Sequence, residues 1–84
     1  MIKLYRYKSP FKRLDGTTYI DYEPQLALLR KVNKKDESIF GFKKDFAYVC
    51  ARVWVGGQIL KDEIYYLTKK ELENEYVLLN KETV

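Results

Sequence analysis

The chain has no histidine and one cysteine, Cys50, in 84 residues. Without His, the Ser-His and Cys-His nucleophile pairs are excluded, and Cys50 would depend for activation on cationic neighbours such as Arg52. One Cys and no His do not supply a zinc site. A lone Cys also excludes an internal disulfide and argues against an oxidising compartment, so its expected role is that of a small buried apolar group. Glycine is scarce as well. Gly41 and the pair Gly56-Gly57 do not form the phosphate-cradling pattern that precedes a helix, and "GG" reads as a hairpin turn. Oxygen-ligand metal loops need spaced acids, which are missing, and no cofactor is expected. Asp36-Glu37 and Asp62-Glu63 are adjacent pairs in expected turns, where solvation explains them. On a strand, neighbours point to opposite faces and do not converge on one substrate atom. The chain reads as non-enzymatic.

No apolar run approaches the roughly 20 residues of a membrane span, and "MIKLYRYK" lacks the apolar stretch of a signal peptide. The expected setting is cytoplasmic, bacterial or infected-host, with no membrane partner. The wealth of Lys, Tyr, Ile and Leu resembles the composition of short reading frames in low-GC bacteria and their phages.

What is present is enough for one small domain spanning residues 1–84. Hydrophobic residues make up 46% and charged residues 33%, which suits a folded chain near the lower size limit for an unstapled core. Eight Tyr, four Phe and Trp54 must supply much of its volume, with the tyrosine tips at the margin. The net charge of +4 is uneven, being +6 over residues 1–57 and −2 over the remainder. Lys3, Arg6, Lys8, Lys12 and Arg13 form an early basic pole that either keeps the protein soluble or steers an anionic partner.

Alternation of apolar and polar residues predicts a strand over Ile2 to Lys8, stopped by Ser9-Pro10. Leu14-Asp15-Gly16-Thr17 predicts a hairpin turn, followed by a strand from Thr17 to Tyr22. The segment "PQLALLRKVNKKDE" is open to helix or strand. The strand is favoured, with Leu26, Leu28, Arg30 and Val32 on one face, because Glu23 is a poor helix cap and "NKKDES" suits a loop. "FAYVCARVWV", residues 46–55, is the strongest strand, with Val49, Ala51, Val53 and Val55 facing the core and Tyr48, Cys50, Arg52 and Trp54 opposite. Residues 59–68 should return beside it after Gly56-Gly57. Thr68-Lys69-Lys70-Glu71 fits a capping box and opens a short helix to about Glu75, with Leu72 as its inward anchor. "YVLLN" then reads as a last strand. The expected fold is α+β, mainly β: a small bent antiparallel sheet or partly open barrel with one short C-terminal helix.

"KKDFAYVCA" partly resembles the aromatic strand of RNA-recognition-motif domains, through Lys44, Phe46, Ala47, Tyr48 and Val49. Asp45 stands where that pattern has Gly, and Ala51 where it has an aromatic residue. The flanking sequence offers neither of the helices that such a domain requires. More general is the facing of the strands. Turning Ile2 and Leu4 inward turns Tyr5 and Tyr7 toward the side of Tyr48, Arg52 and Trp54. With Lys8, Lys12 and Arg13 nearby, these residues define an aromatic and basic binding surface. Tyr, Trp and Arg favour protein recognition, and the reading is a non-catalytic accessory factor that masks or modulates a host protein. The alternative is a nucleic-acid module that stacks bases on Tyr and Trp and contacts phosphates with Lys and Arg. A plainer alternative is a helix or segment 24–34 lying over those rings. A homodimer through an edge strand is also open.

Overall fold

The computed structural model describes residues 2–80. The central element is β5 (Phe46–Trp54), whose β-branched and aromatic composition favours extended backbone. It pairs antiparallel with β4 (Leu26–Lys31) on one side and β6 (Gln58–Thr68) on the other. The favoured strand reading of residues 24–34 therefore holds for its central part. β1 (Lys3–Tyr7) lies beyond β4, and β7 (Tyr76–Leu78) beyond β1, giving the open order β6-β5-β4-β1-β7. The sheet does not close into a barrel. β2 (Phe11–Lys12) and β3 (Thr18–Tyr19) form a separate two-stranded ribbon. Its turn is the expected one: Gly16 adopts φ +90°, and the Asp15 carboxylate accepts hydrogen bonds from the Thr17 amide and hydroxyl.

Helix α1 (Lys69–Glu75) begins where the capping pattern predicts. Thr68 Oγ1 accepts from the Glu71 amide, and the Glu71 carboxylate accepts from the Thr68 amide. A helix this short is marginal by itself, so packing must hold it. Leu72 is buried, 5% exposed, in a cluster with Leu26 and Cys50. Tyr5, Leu28, Tyr48, Leu67 and Tyr76 pack around that cluster.

The core is thus two-sided, which corrects the expectation of one aliphatic face. Val49, Ala51 and Val53 are buried as expected, whereas Val55 falls in the turn after β5 and is exposed, and Cys50 on the opposite side is also fully buried. The reason is α1, which folds back over the middle of the sheet. Among the described residues no helix is long and apolar enough to cross a membrane.

Among the three register shifts that override simple alternation, two re-aim side chains at this end of the sheet. Leu28 pairs with Cys50 but Arg30 pairs with Val49, so the extra residue Leu29 sends Arg30 to the side opposite Leu28. The expected common face of Leu28 and Arg30 is broken there. Likewise Phe46 pairs with Thr68 and Tyr48 with Leu67, so the extra residue Ala47 separates Phe46 and Tyr48 onto opposite faces.

Arg30 consequently meets Asp36, in the 3-10 turn Lys34–Ser38. Its guanidinium donates to both carboxylate oxygens at 2.7 and 2.9 Å, while Tyr66 Oη and the Asn33 amide donate at 3.0 and 2.7 Å. Asp36 is only 3% exposed, so it is a buried anchor for the loop 32–45 and not the solvated turn acid that the sequence suggests. The rings of Phe42, Phe46 and Tyr66 complete this end, with Phe46 stacked on Tyr66 at 5.5 Å.

Candidate binding cleft

The break at Ser9-Pro10 lets the chain leave the sheet after Tyr7, and the β2–β3 ribbon stands beside the end of β5. Between them lies a cleft of about 400 Å³. Tyr7, Phe11 and Tyr19 line one wall, and Arg52, Trp54, Tyr65 and the Val55–Gly57 turn line the other, with Gln25 and Leu26 below.

The register explains the first wall. Phe11 and Tyr19 are direct cross-strand partners, their rings 5.8 Å apart, and Tyr7 meets Phe11 edge-on at 5.7 Å. Tyr76 extends the row beyond Tyr7 at 5.0 Å. Burial pushes the Tyr76 hydroxyl's pKa upward, and neighbouring Tyr7 adds to the shift. The pairing of Lys8 N–H with the Glu75 carbonyl at 2.9 Å ties this corner to the end of α1.

The second wall depends on Gly56 and Gly57, both at φ +85°, which allow the tight reversal after β5. Trp54 is left 49% exposed, with the Arg52 guanidinium over its ring at 5.0 Å. Arg52 also meets the Glu63 carboxylate at 3.3 Å, so its charge is matched before any partner arrives.

Gln25 closes the floor. Its backbone amide donates to the Tyr5 carbonyl and its carbonyl accepts from Val53 N–H, while Oε1 accepts from the Tyr7 amide at 2.7 Å. Side-chain Nε2 is shielded from solvent and has no acceptor among the described residues. A shielded donor without a partner costs about 1–3 kcal/mol.

The structure divides the residues expected from sequence. Tyr7, Arg52 and Trp54 come together in the cleft. Tyr5 and Tyr48 share their side of the sheet but pack beneath α1 beside the Leu26, Cys50 and Leu72 cluster. Both are partly buried there and do not line the cleft. Burial is the main cause raising the Tyr5 hydroxyl's pKa. Lys8 and Lys12 are exposed outside the cleft. Arg13 lies over the Tyr19 ring at 4.4 Å and reaches Thr17 Oγ1.

Phe11, Tyr19 and Tyr65 are cleft residues that the sequence reading missed. The available signal was the hairpin itself, because a short turn at Leu14 to Thr17 sets Phe11 opposite Tyr19. Asp21 and Glu23 also border the cleft, so its lining is less basic than the N-terminal sequence suggests. The RNA-recognition resemblance finds no geometric support. Phe46 packs on Tyr66 and Tyr48 lies in the core, so the two do not offer adjacent stacking platforms. Cys50 is enclosed, and burial pushes its thiol up to about 11. Comparison with protein-family models, curated proteins and solved structures finds no match.

Proposed function

We propose that this is a non-catalytic binding protein that takes a segment of a protein partner into the cleft, acting as an accessory factor that masks or modulates that partner in a bacterial or infected-host cytoplasm. The observation that carries the reading is the convergence of Tyr7, Phe11, Tyr19, Trp54 and Tyr65 on one concave surface from β1, the ribbon, β5 and β6. Large rings with few rotatable bonds, grouped around an arginine, are the usual anchors of protein recognition.

Charge favours a protein segment over a nucleic acid. The cleft is bordered by Asp21 and Glu23, and its Arg52 is already paired with Glu63. A phosphate backbone would meet two carboxylates there, whereas a polypeptide with one apolar and one basic side chain would meet rings and acids.

The test is co-precipitation with the intact protein, compared with Trp54→Ala, Tyr19→Ala and, as an exposed apolar control remote in sequence, Phe40→Ala. The expected result is one partner retained by the wild type and by Phe40→Ala and lost from the two cleft variants, with circular dichroism unchanged. Equal capture by all four removes the cleft from the interface. Anisotropy titrations against single- and double-stranded DNA and RNA at two salt concentrations form the second arm. Binding that weakens steeply with salt and is lost in Trp54→Ala would replace this reading with the nucleic-acid one.

A further inference from the structure

We propose that β6 pairs with β6 of a second copy of this chain, antiparallel about Tyr66, to form a two-fold dimer with one continuous sheet. This proposal is independent of what the cleft binds.

β6 is an outer strand of the sheet. From Ile64 to Thr68 it runs without interruption, and its inner edge is fully used by Ala51, Cys50, Val49, Tyr48 and Phe46. The outer N–H and C=O groups of these residues have no backbone partner among the described residues. Ile64 and Tyr65 remain 39% and 44% exposed. An open edge of this length is a template for another strand.

The sequence around it specifies which strand. Residues 62–70 read "DEIYYLTKK", with two acids before the open edge and two lysines after it. Antiparallel self-pairing about Tyr66 sets Ile64 against Thr68 and Tyr65 against Leu67, and brings Asp62 and Glu63 of one copy to the end where Lys69 and Lys70 open α1 of the other. The acidic end of one strand thus lies beside the basic end of the other, and the whole regular run 64–68 is paired with its own copy. Centring instead on Tyr65 pairs only residues 64–66 of the regular run with one another. Centring on Leu67 pairs only residues 66–68 in the same way. A one-residue slip sets side chains from the α1 side of one copy beside those from the other side of the second, which the two-fold does not allow. The Tyr66 register pairs the full run and keeps the facing.

The irregular part of β6 supports the same arrangement. Arg52 pairs with Leu60 and Ala51 with Ile64, so Lys61, Asp62 and Glu63 lie outside the inner ladder. Asp62, Lys69 and Lys70 are exposed and in no ion pair among the described residues. Against an unrelated apolar strand these charges are a barrier; against a second copy they complement one another. The other outer strand, β7, spans only Tyr76–Leu78, so head-to-tail growth has a poor template. Like with like closes after two copies.

A single strand pair buries less than the about 1,200 Å² of standard complexes, so the dimer is weak. Sedimentation velocity from ~10 μM to ~1 mM should show monomer passing to dimer, a range in which dissociation constants near 1 mM correspond to weak association. The double variants Asp62→Lys/Glu63→Lys and Lys69→Glu/Lys70→Glu should each remain monomeric where the wild type is half dimeric. An equimolar mixture of the two should recover the dimer. Amide exchange over residues 64–68 should slow as wild-type concentration rises, and circular dichroism checks that both variants fold. A wild type that stays monomeric throughout, variants that dimerise like the wild type, or a mixture that stays monomeric would each overturn the proposal.

Discussion

At the scale of single residues, two buried groups give direct tests. Cys50 is enclosed between β4, β6 and Leu72, and a thiol raised to about 11 is almost wholly protonated at pH 8. Ellman's reagent should therefore fail to react with the native protein and titrate the thiol fully in denaturant; rapid native labelling would contradict the packing. Asp36 is the second case. Its hydrogen bonds from Arg30 come first among the causes holding its carboxyl well below the usual range, with the Asn33 amide and Tyr66 hydroxyl adding to them. A folded-state pKa below the unfolded one means that its stabilisation is complete above about pH 4, the unfolded value. It is lost as pH falls toward the folded value. Urea midpoints measured from pH 6 to 2 should fall in the wild type below pH 4. Asp36→Asn should begin lower at neutral pH and lose less on acidification. Arg52→Ala, which breaks an exposed pair, should hardly move the midpoint. The sequence shows Asp36 only as one of two adjacent turn acids. What makes it an anchor is the bulge at Leu29, and no residue type near Leu29 announces a bulge.

At the scale of elements, the signals that read well are those with local chemistry. The capping box at Thr68, the Asp15-Gly16 turn and the paired glycines after β5 each satisfy backbone needs within a few residues, and each appears where expected. Facing read less well, because it accumulates along a strand and one extra residue reverses it. Tyr7, Arg52 and Trp54 were legible as neighbours on one side since no bulge intervenes between their paired positions. Tyr5 and Tyr48 lie on the expected side, but nothing local states that α1 will pack beside them. That packing has a measurable energy. Leu72→Ala should cost about 2–5 kcal/mol, as for other large-to-small core changes. Thr68→Ala should cost about 1 kcal/mol through loss of the cap. Both are read from chemical denaturation. If Leu72→Ala costs no more than Thr68→Ala, α1 does not anchor the core.

At the scale of the whole molecule, the radius of gyration of 14.0 Å exceeds the about 12 Å of a compact domain this long. The separate two-stranded ribbon beside the open sheet is in keeping with that excess, and it forms one wall of the cleft. Because Trp54 is the only tryptophan and sits in that concavity, its emission should shift to the blue when a partner fills the cleft. An unchanged spectrum on saturation would place the contact elsewhere. The order of the strands has another result. β1 is held between β4 and β7, and the late residues clasp its start: Leu79 N–H donates to the Leu4 carbonyl, and the Asn80 side chain bonds both Leu4 N–H and the Ile2 carbonyl. During synthesis, therefore, β1 must wait for β7, the last strand of this sheet to be made. Until β7 leaves the ribosome, β1 has an unmatched side, and the nascent sheet is most exposed to wrong pairing in that interval.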